Sequence, residues 1–123
     1  MSYADLLITL TAHESDESNV TISFLMGNKA LDKGHSVEIL LLANGIHLAE
    51  QGYASKIDVG APFKPTDEML ASYIEKGGKI KVCSSCMEHK GVTEKDLIDE
   101  AEVITADYVI DAIMNSEKSL QLN

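Results

Sequence analysis

The sequence predicts an α/β fold, a three-layer α/β/α sandwich built on a mostly parallel five-stranded sheet. Three observations predict it. Residues 4–10, with Leu6, Leu7, Ile8 and Leu10, and residues 36–43, centred on Ile39-Leu40-Leu41-Leu42, are nearly unbroken apolar runs of strand length. Such runs belong to strands covered on both faces, the situation inside a parallel sheet. Strand-like and helix-like segments alternate along the chain, which favours parallel pairing through helical crossovers. Finally, 123 residues suit a single core, so residues 1–123 read as one domain.

Taken in order, the first strand (4–10) leads into the polar stretch His13-Glu14-Ser15-Asp16-Glu17-Ser18-Asn19. Its cap-forming and acidic residues suit a helix start. A helix over 18–33 follows, with Val20, Phe24 and Leu31 along one face and Gly34 beyond its end. Gly27 inside it costs about 1 kcal/mol against alanine, so it marks close packing on the sheet or on a neighbouring chain. The second strand (36–43) ends in the turn Asn44-Gly45, and Gly52 closes the short segment Ile46-His47-Leu48-Ala49-Glu50-Gln51.

Residues 53–65 have no sustained periodicity and contain Pro62 and Pro65, so they read as a loop that is either a lid or covered by a partner. Thr66-Asp67-Glu68 caps the next helix, whose Met69, Leu70, Tyr73 and Ile74 share a face before Gly77-Gly78 ends it. Then comes Ile80-Lys81-Val82-Cys83, a strand that runs straight into a helix. Ser85 followed by Glu88 fits a capping box with Ser85 as N-cap and Cys86 in the first helical position. Gly91 ends that helix, and Thr93-x-x-Asp96 opens a further turn. Glu102-Val103-Ile104 is a short strand, 106–115 a helix with Val109, Ile110 and Ile113 inward, and 119–122 the last strand.

Composition narrows the function. Ten lysines and no arginine face twenty acidic residues, a formal charge of −10. That surface repels phosphate backbones and lacks the bidentate reader of phosphates and bases, which argues against nucleic-acid binding. The longest apolar runs are far too short to span a bilayer. No basic segment introduces them as a signal peptide would, so the expected location is cytoplasmic. A closed zinc site needs four ligands, whereas the chain offers one C-x-x-C pair and histidines at 13, 35, 47 and 89, so no metal or other cofactor is expected.

The two cysteines carry the functional signal. A helix start directs free backbone N–H groups and the positive end of its dipole at Cys83 and Cys86, and a thiolate, the nucleophilic form, gains from such surroundings. Ser84 and Ser85 line the same junction. Asn44, Gly45 and His47 follow the second strand and His13 the first, so all four belong to the carboxyl edge of the sheet, where open α/β sheets bind ligands. His35 precedes its strand and lies at the opposite edge. The bland readings are that Cys83 is a small core residue, that Cys86 packs, and that the histidines are solvated.

The strand ending in Val82-Cys83, the second cysteine at Cys86, and the short helix with Lys90-Gly91-Val92, set in whole-chain α/β alternation, resemble the DsrE/DsrF-like family of small sulfur-relay proteins. The resemblance implies a cytoplasmic protein that assembles into trimers or hexamers. It also implies a strand-end cysteine, here Cys83, that receives sulfane sulfur as a persulfide from a donor protein and passes it to an acceptor, as a sulfurtransferase-type carrier. Cys86 is compatible with the family, and its expected place in the first helical turn, close enough to attack the sulfur on Cys83, suits a resolving or protective thiol. Two other readings stand beside it: a C-x-x-C thiol–disulfide redox protein cycling Cys83 and Cys86, and a non-catalytic assembly subunit.

Overall fold

A computed structural model describes residues 3–123. Five strands, β1 (Leu6–Leu10), β2 (Val37–Leu41), β3 (Lys79–Cys83), β4 (Ala101–Ile104) and β5 (Lys118–Leu122), form one sheet in the order β4-β3-β2-β1-β5. Every pairing is parallel. Four α-helices accompany them: α1 (Glu17–Asp32), α2 (Thr66–Glu75), α3 (Ser84–Lys90) and α4 (Ala106–Asn115). Short 3-10 turns fill the connections at Glu14–Asp16, Ala43–Ala49, Tyr53–Lys56 and Glu94–Asp96.

The apolar runs explain the sheet. All five residues of β2 are buried, as the continuous pattern requires of a strand covered on both faces. Alternation then divides the core in two. Ile8, Leu10, Ile39, Leu41, Ile80 and Val82 point to one side, where Val20 and Phe24 of α1 and Met69, Leu70 and Tyr73 of α2 pack on them. Leu7, Leu40 and Ile104 point to the other side and meet Ala112 of α4. That side has a single helix because β4 and β5 are opposite edges of the sheet, and the crossover between them carries α4 over the face.

Tyr73 joins most of these parts. It is fully buried, its ring meets Phe24 edge-on at 6.2 Å, and its hydroxyl donates to the Lys79 carbonyl at 2.7 Å and the Val37 carbonyl at 3.2 Å. The phenol's single proton is shared between carbonyls at the start of two neighbouring strands, the nearer being that of Lys79, and so avoids the cost of about 1–3 kcal/mol of a buried unpaired donor. Gly27 is the counterpart on α1: a Cβ there would lie 2.9 Å from Tyr73 Cε1 and 3.0 Å from Cδ1. The tightest packing at Gly27 is therefore against α2 rather than the sheet or a neighbouring chain, with Ile39 of β2 at an ordinary 3.5 Å.

Several local expectations change. The first strand starts at Leu6 and α1 at Glu17, with Asp16 as N-cap accepting from the Asn19 N–H at 3.3 Å. Within 53–65, Tyr53–Lys56 is a 3-10 turn rather than open loop. Helix α2 begins at Thr66 after Pro65 with no side-chain cap. Helix α3 begins at Ser84 with Cys83 as N-cap, so Ser85 is not the cap and Cys86 is the third helical residue. Ile110 and Ile113, expected inward, are exposed, at 59% and 38%. Helix α4 is turned so that Ala112 faces the sheet, flanked by half-buried Tyr108 and Val109.

Replacing a helical glycine by alanine ordinarily stabilises by about 1 kcal/mol. For Gly27→Ala the sign reverses, because the new methyl must push the Tyr73 ring off two strand carbonyls, and overpacking of this kind costs about 1–3 kcal/mol. Urea unfolding of the variant is expected to show a lower midpoint at an unchanged m-value. A raised midpoint would show that the contact is slack.

Candidate functional site

Because every strand is parallel, the carboxyl ends of β1, β2 and β3 emerge at one edge, and each continues directly into a turn or helix. Strand β3 passes into α3 with no residue between them. Ile80 and Val82 belong to the main core, so alternation turns Cys83 toward the α4 side of the sheet. Cys83 is 5% exposed. The expectation that it points into the open crevice does not hold: at the end of β3 its side chain is buried.

Cys86 is the accessible thiol. It lines a shallow groove of about 400 Å³ together with Ala43, Asn44, Ser85, His89 and Lys90. The backbone N–H of Ala43 donates to its Sγ at 3.2 Å. Ala43 holds φ at 52°, a left-handed conformation unusual for a residue with a side chain. Both cysteines are free thiols, three residues apart across the junction of β3 and α3. Burial pushes the Cys86 thiol above its ordinary pKa; the Ala43 N–H opposes this, the neighbouring Cys83 adds to it, and the Lys90 charge works against it.

Of the other predicted site residues, Asn44 and Ser85 join Cys86 in the groove. Ser84 is half-buried as the first residue of α3 and does not line it. Gly45 is buried as a packing residue: a Cβ there would stand 2.1 Å from the Leu10 carbonyl oxygen, so β1 can run past the turn only if this side chain is absent.

His13 and His47 meet each other rather than the thiol groove. Their rings stack at 5.9 Å, and His47 stacks on Tyr53 at 5.6 Å. His47 Nδ1 bonds to the Glu50 carboxylate, His13 Nδ1 accepts from the Ser15 N–H at 3.3 Å, and the Tyr53 hydroxyl donates to Glu14 at 3.2 Å. The stack ties the turn after β1 to the turn after β2.

His89 and Lys90 were absent from the predicted site. Their spacing of three and four residues from Cys86 on one helix was the available signal, since such positions share a face. Among the described residues no group of three or more His, Cys, Asp or Glu side chains is placed to hold a metal ion, and no helix is long and apolar enough to cross a membrane.

A family model described as "DsrE/DsrF-like family" matches residues 4–122. The chain belongs to the DsrE/DsrF-like family. In sequence it is 27% identical over 117 residues to the uncharacterized protein MJ0989 of Methanocaldococcus jannaschii, covering 91% of this chain and 92% of that one. It is also 27% identical over 93 residues to the uncharacterized protein MK0008 of Methanopyrus kandleri, covering 72% and 69%.

Among solved structures it resembles the ychN protein from E. coli, with a TM-score of 0.71, 16% identity, and coverage of 98% of this chain and 99% of that one. The protein of unknown function MTH1491 from Methanobacterium thermoautotrophicum superposes with the same TM-score and coverage at 14% identity. At these identities the structural likeness shows the fold: a parallel sheet sandwiched between helices.

The raised pKa of Cys86 sets its reactivity. A thiol reacts as thiolate, and at a fixed pH a higher pKa leaves a smaller thiolate fraction. Alkylation of Cys86 by iodoacetamide at pH 7 is expected to run slower than that of free cysteine and to keep rising as pH passes about 8.5, the unperturbed thiol value. Peptide mass mapping of the labelled site checks this. A rate already at its plateau at pH 7 would mean that the Ala43 N–H and Lys90 outweigh burial.

Proposed function

We propose that the protein is a sulfur carrier that holds sulfane sulfur as a persulfide on its cysteine pair and transfers it between a donor and an acceptor protein. The observation that carries this reading is the pairing of two free thiols at the carboxyl edge of the sheet, one buried and one open to a groove whose polar groups suit an anionic sulfur. Membership of the DsrE/DsrF-like family supports it.

In this reading Cys86, the accessible thiol, meets the donor first, and Cys83 is the inner thiol. This exchanges the roles read from the sequence, in which Cys83 is the carrier and Cys86 the resolving or protective thiol. The Cys86 thiolate attacks the terminal sulfur of a donor persulfide; the new S–S bond forms as the donor's breaks, and the donor leaves as a thiol after taking up the proton. No net oxidation occurs. The perthiolate so formed extends into the groove, where Lys90 and the Ala43 N–H compensate its charge. Delivery repeats the step with the acceptor's thiol as nucleophile. Alternatively Cys83 attacks the inner sulfur of the Cys86 persulfide, giving the Cys83–Cys86 disulfide and releasing sulfide.

Incubation with a small-molecule persulfide donor, followed by intact mass measurement, tests the assignment. The native chain is expected to gain one sulfur that a reductant removes, Cys86→Ser to gain none, and Cys83→Ser to load and to hold its sulfur longer, since no inner thiol can displace sulfide. Loading of Cys86→Ser with none on Cys83→Ser would return the carrier role to Cys83. Disulfide formation with no sulfur gain in any variant would favour the thiol–disulfide redox reading.

A homo-oligomer, trimer or hexamer as the resemblance implies, is part of this proposal. What supports it is α4, whose Ile110, Ile113 and Met114 are exposed at spacings of three and four on one helix face. Sedimentation is expected to show an assembly that Ile110→Ser/Met114→Ser weakens; a native monomer at micromolar concentration would remove this part of the proposal.

A further inference from the structure

The helical face built by α1 and α2 carries a second concavity, a groove of about 320 Å³ that shares no lining residue with the thiol groove. Leu25 of α1 and Met69 of α2 give it apolar walls, and Phe63 and Lys64, from the connection preceding α2, complete it. Its volume falls in the range of small-molecule sites, about 300–1,000 Å³.

Two features say what it would bind. The first is charge. The chain carries −10 overall, yet three of its ten lysines, Lys29, Lys64 and Lys76, line this one groove. Lys76 is paired with Asp32 at 2.9 Å. Among the described residues Lys29 and Lys64 have no ion-pair partner, and Glu68 is the one remaining carboxylate of the lining. The groove is thus a local cationic spot on an acidic molecule.

The second feature is Asn28. This lining residue is 9% exposed, and its Nδ2 donates to the Phe24 carbonyl at 2.8 Å and the Met69 carbonyl at 3.0 Å. Two carbonyl partners fix the orientation of the amide, since only the NH₂ end can serve them. Its Oδ1 is left buried without a hydrogen-bond partner, and a buried acceptor in that condition costs about 1–3 kcal/mol. The Asn28 side chain lines the groove, and a small shift of the amide on ligand binding would present Oδ1 to a ligand N–H or O–H.

We propose that the groove binds a small amphipathic anion: an acidic head engaged by Lys29 and Lys64, an apolar body laid on Leu25, Phe63 and Met69, and a hydrogen-bond donor directed at Asn28 Oδ1. The class is fixed by the three kinds of contact on offer; a bare inorganic anion would use only the lysines, and a neutral apolar molecule only the walls.

Anilinonaphthalene sulfonate combines a sulfonate, an N–H and two aromatic bodies, and its fluorescence reports binding to the full chain. One site per chain is expected, weakened about fivefold or more in Lys29→Gln/Lys64→Gln, whose exposed lysines can be changed without touching the core. Binding is expected to be unchanged in Ile110→Ser/Met114→Ser, which alters the other apolar surface. Octanoate should compete and inorganic phosphate at equal concentration should not. In ¹⁵N spectra the Asn28 side-chain amide should shift on saturation. Absence of binding, loss through the α4 substitutions alone, indifference to the lysine substitutions, or displacement by phosphate would each overturn the proposal.

Discussion

All five strands run the same way, and the rest of the molecule follows from that. A parallel strand cannot be followed by a tight hairpin; each must be succeeded by a crossover, and every crossover begins at the same edge of the sheet. The turns after β1, β2 and β3 are therefore neighbours although they are far apart in sequence. Two thiols from one and a left-handed Ala43 from the next meet without any dedicated scaffold, while the stacked histidines bridge β1 and β2 apart from them. The same geometry places His35 at the other edge, near Asp5 at 3.8 Å, and removes it from the chemistry.

Burial of the two sulfurs differs because a strand and a helix dispose side chains differently. Cys83 is still governed by the two-residue period of β3 and stays buried at the strand's end. Cys86 is governed by the helical period and returns to the surface above the start of α3, beside residues three and four positions further on. A C-x-x-C at such a junction divides its thiols into an inner and an outer member. The spacing does not say which is which; that depends on the residue at which the helix starts.

This accounts for what could be read from the sequence. The strands β1 and β2 were legible because full burial leaves an apolar run that solvent-facing structure would not produce, and the order of elements followed from caps and glycines that act locally. The carboxyl-edge position of Asn44, Ser85 and the cysteines was legible for the same reason. The identity of the outward thiol turned on a single residue of helix start. The stacking of His13 on His47 and Tyr53 arises only once two turns are brought together. On α4 the apolar pattern of Ile110, Ile113 and Met114 was real, but amphipathicity marks a stripe without naming what covers it, and here the chain's own sheet takes Ala112 instead.

The molecule also has a strong side and a weak one. Helices α1 and α2 are locked to the sheet through Tyr73 and a large continuous core. Helix α4 rests on a separate small cluster, with Ala112 its one buried residue and a bond from the Tyr108 phenol to the buried Glu38 carboxylate at 2.7 Å as its polar tether. Local opening is least costly where few apolar contacts must be broken. The α4 layer can therefore peel from the sheet while the main core stays closed, so the amide protons of α4 exchange through a path of their own. Such an opening would lay the second face of the sheet bare to solvent and expose the Glu38 carboxylate that the Tyr108 phenol now holds.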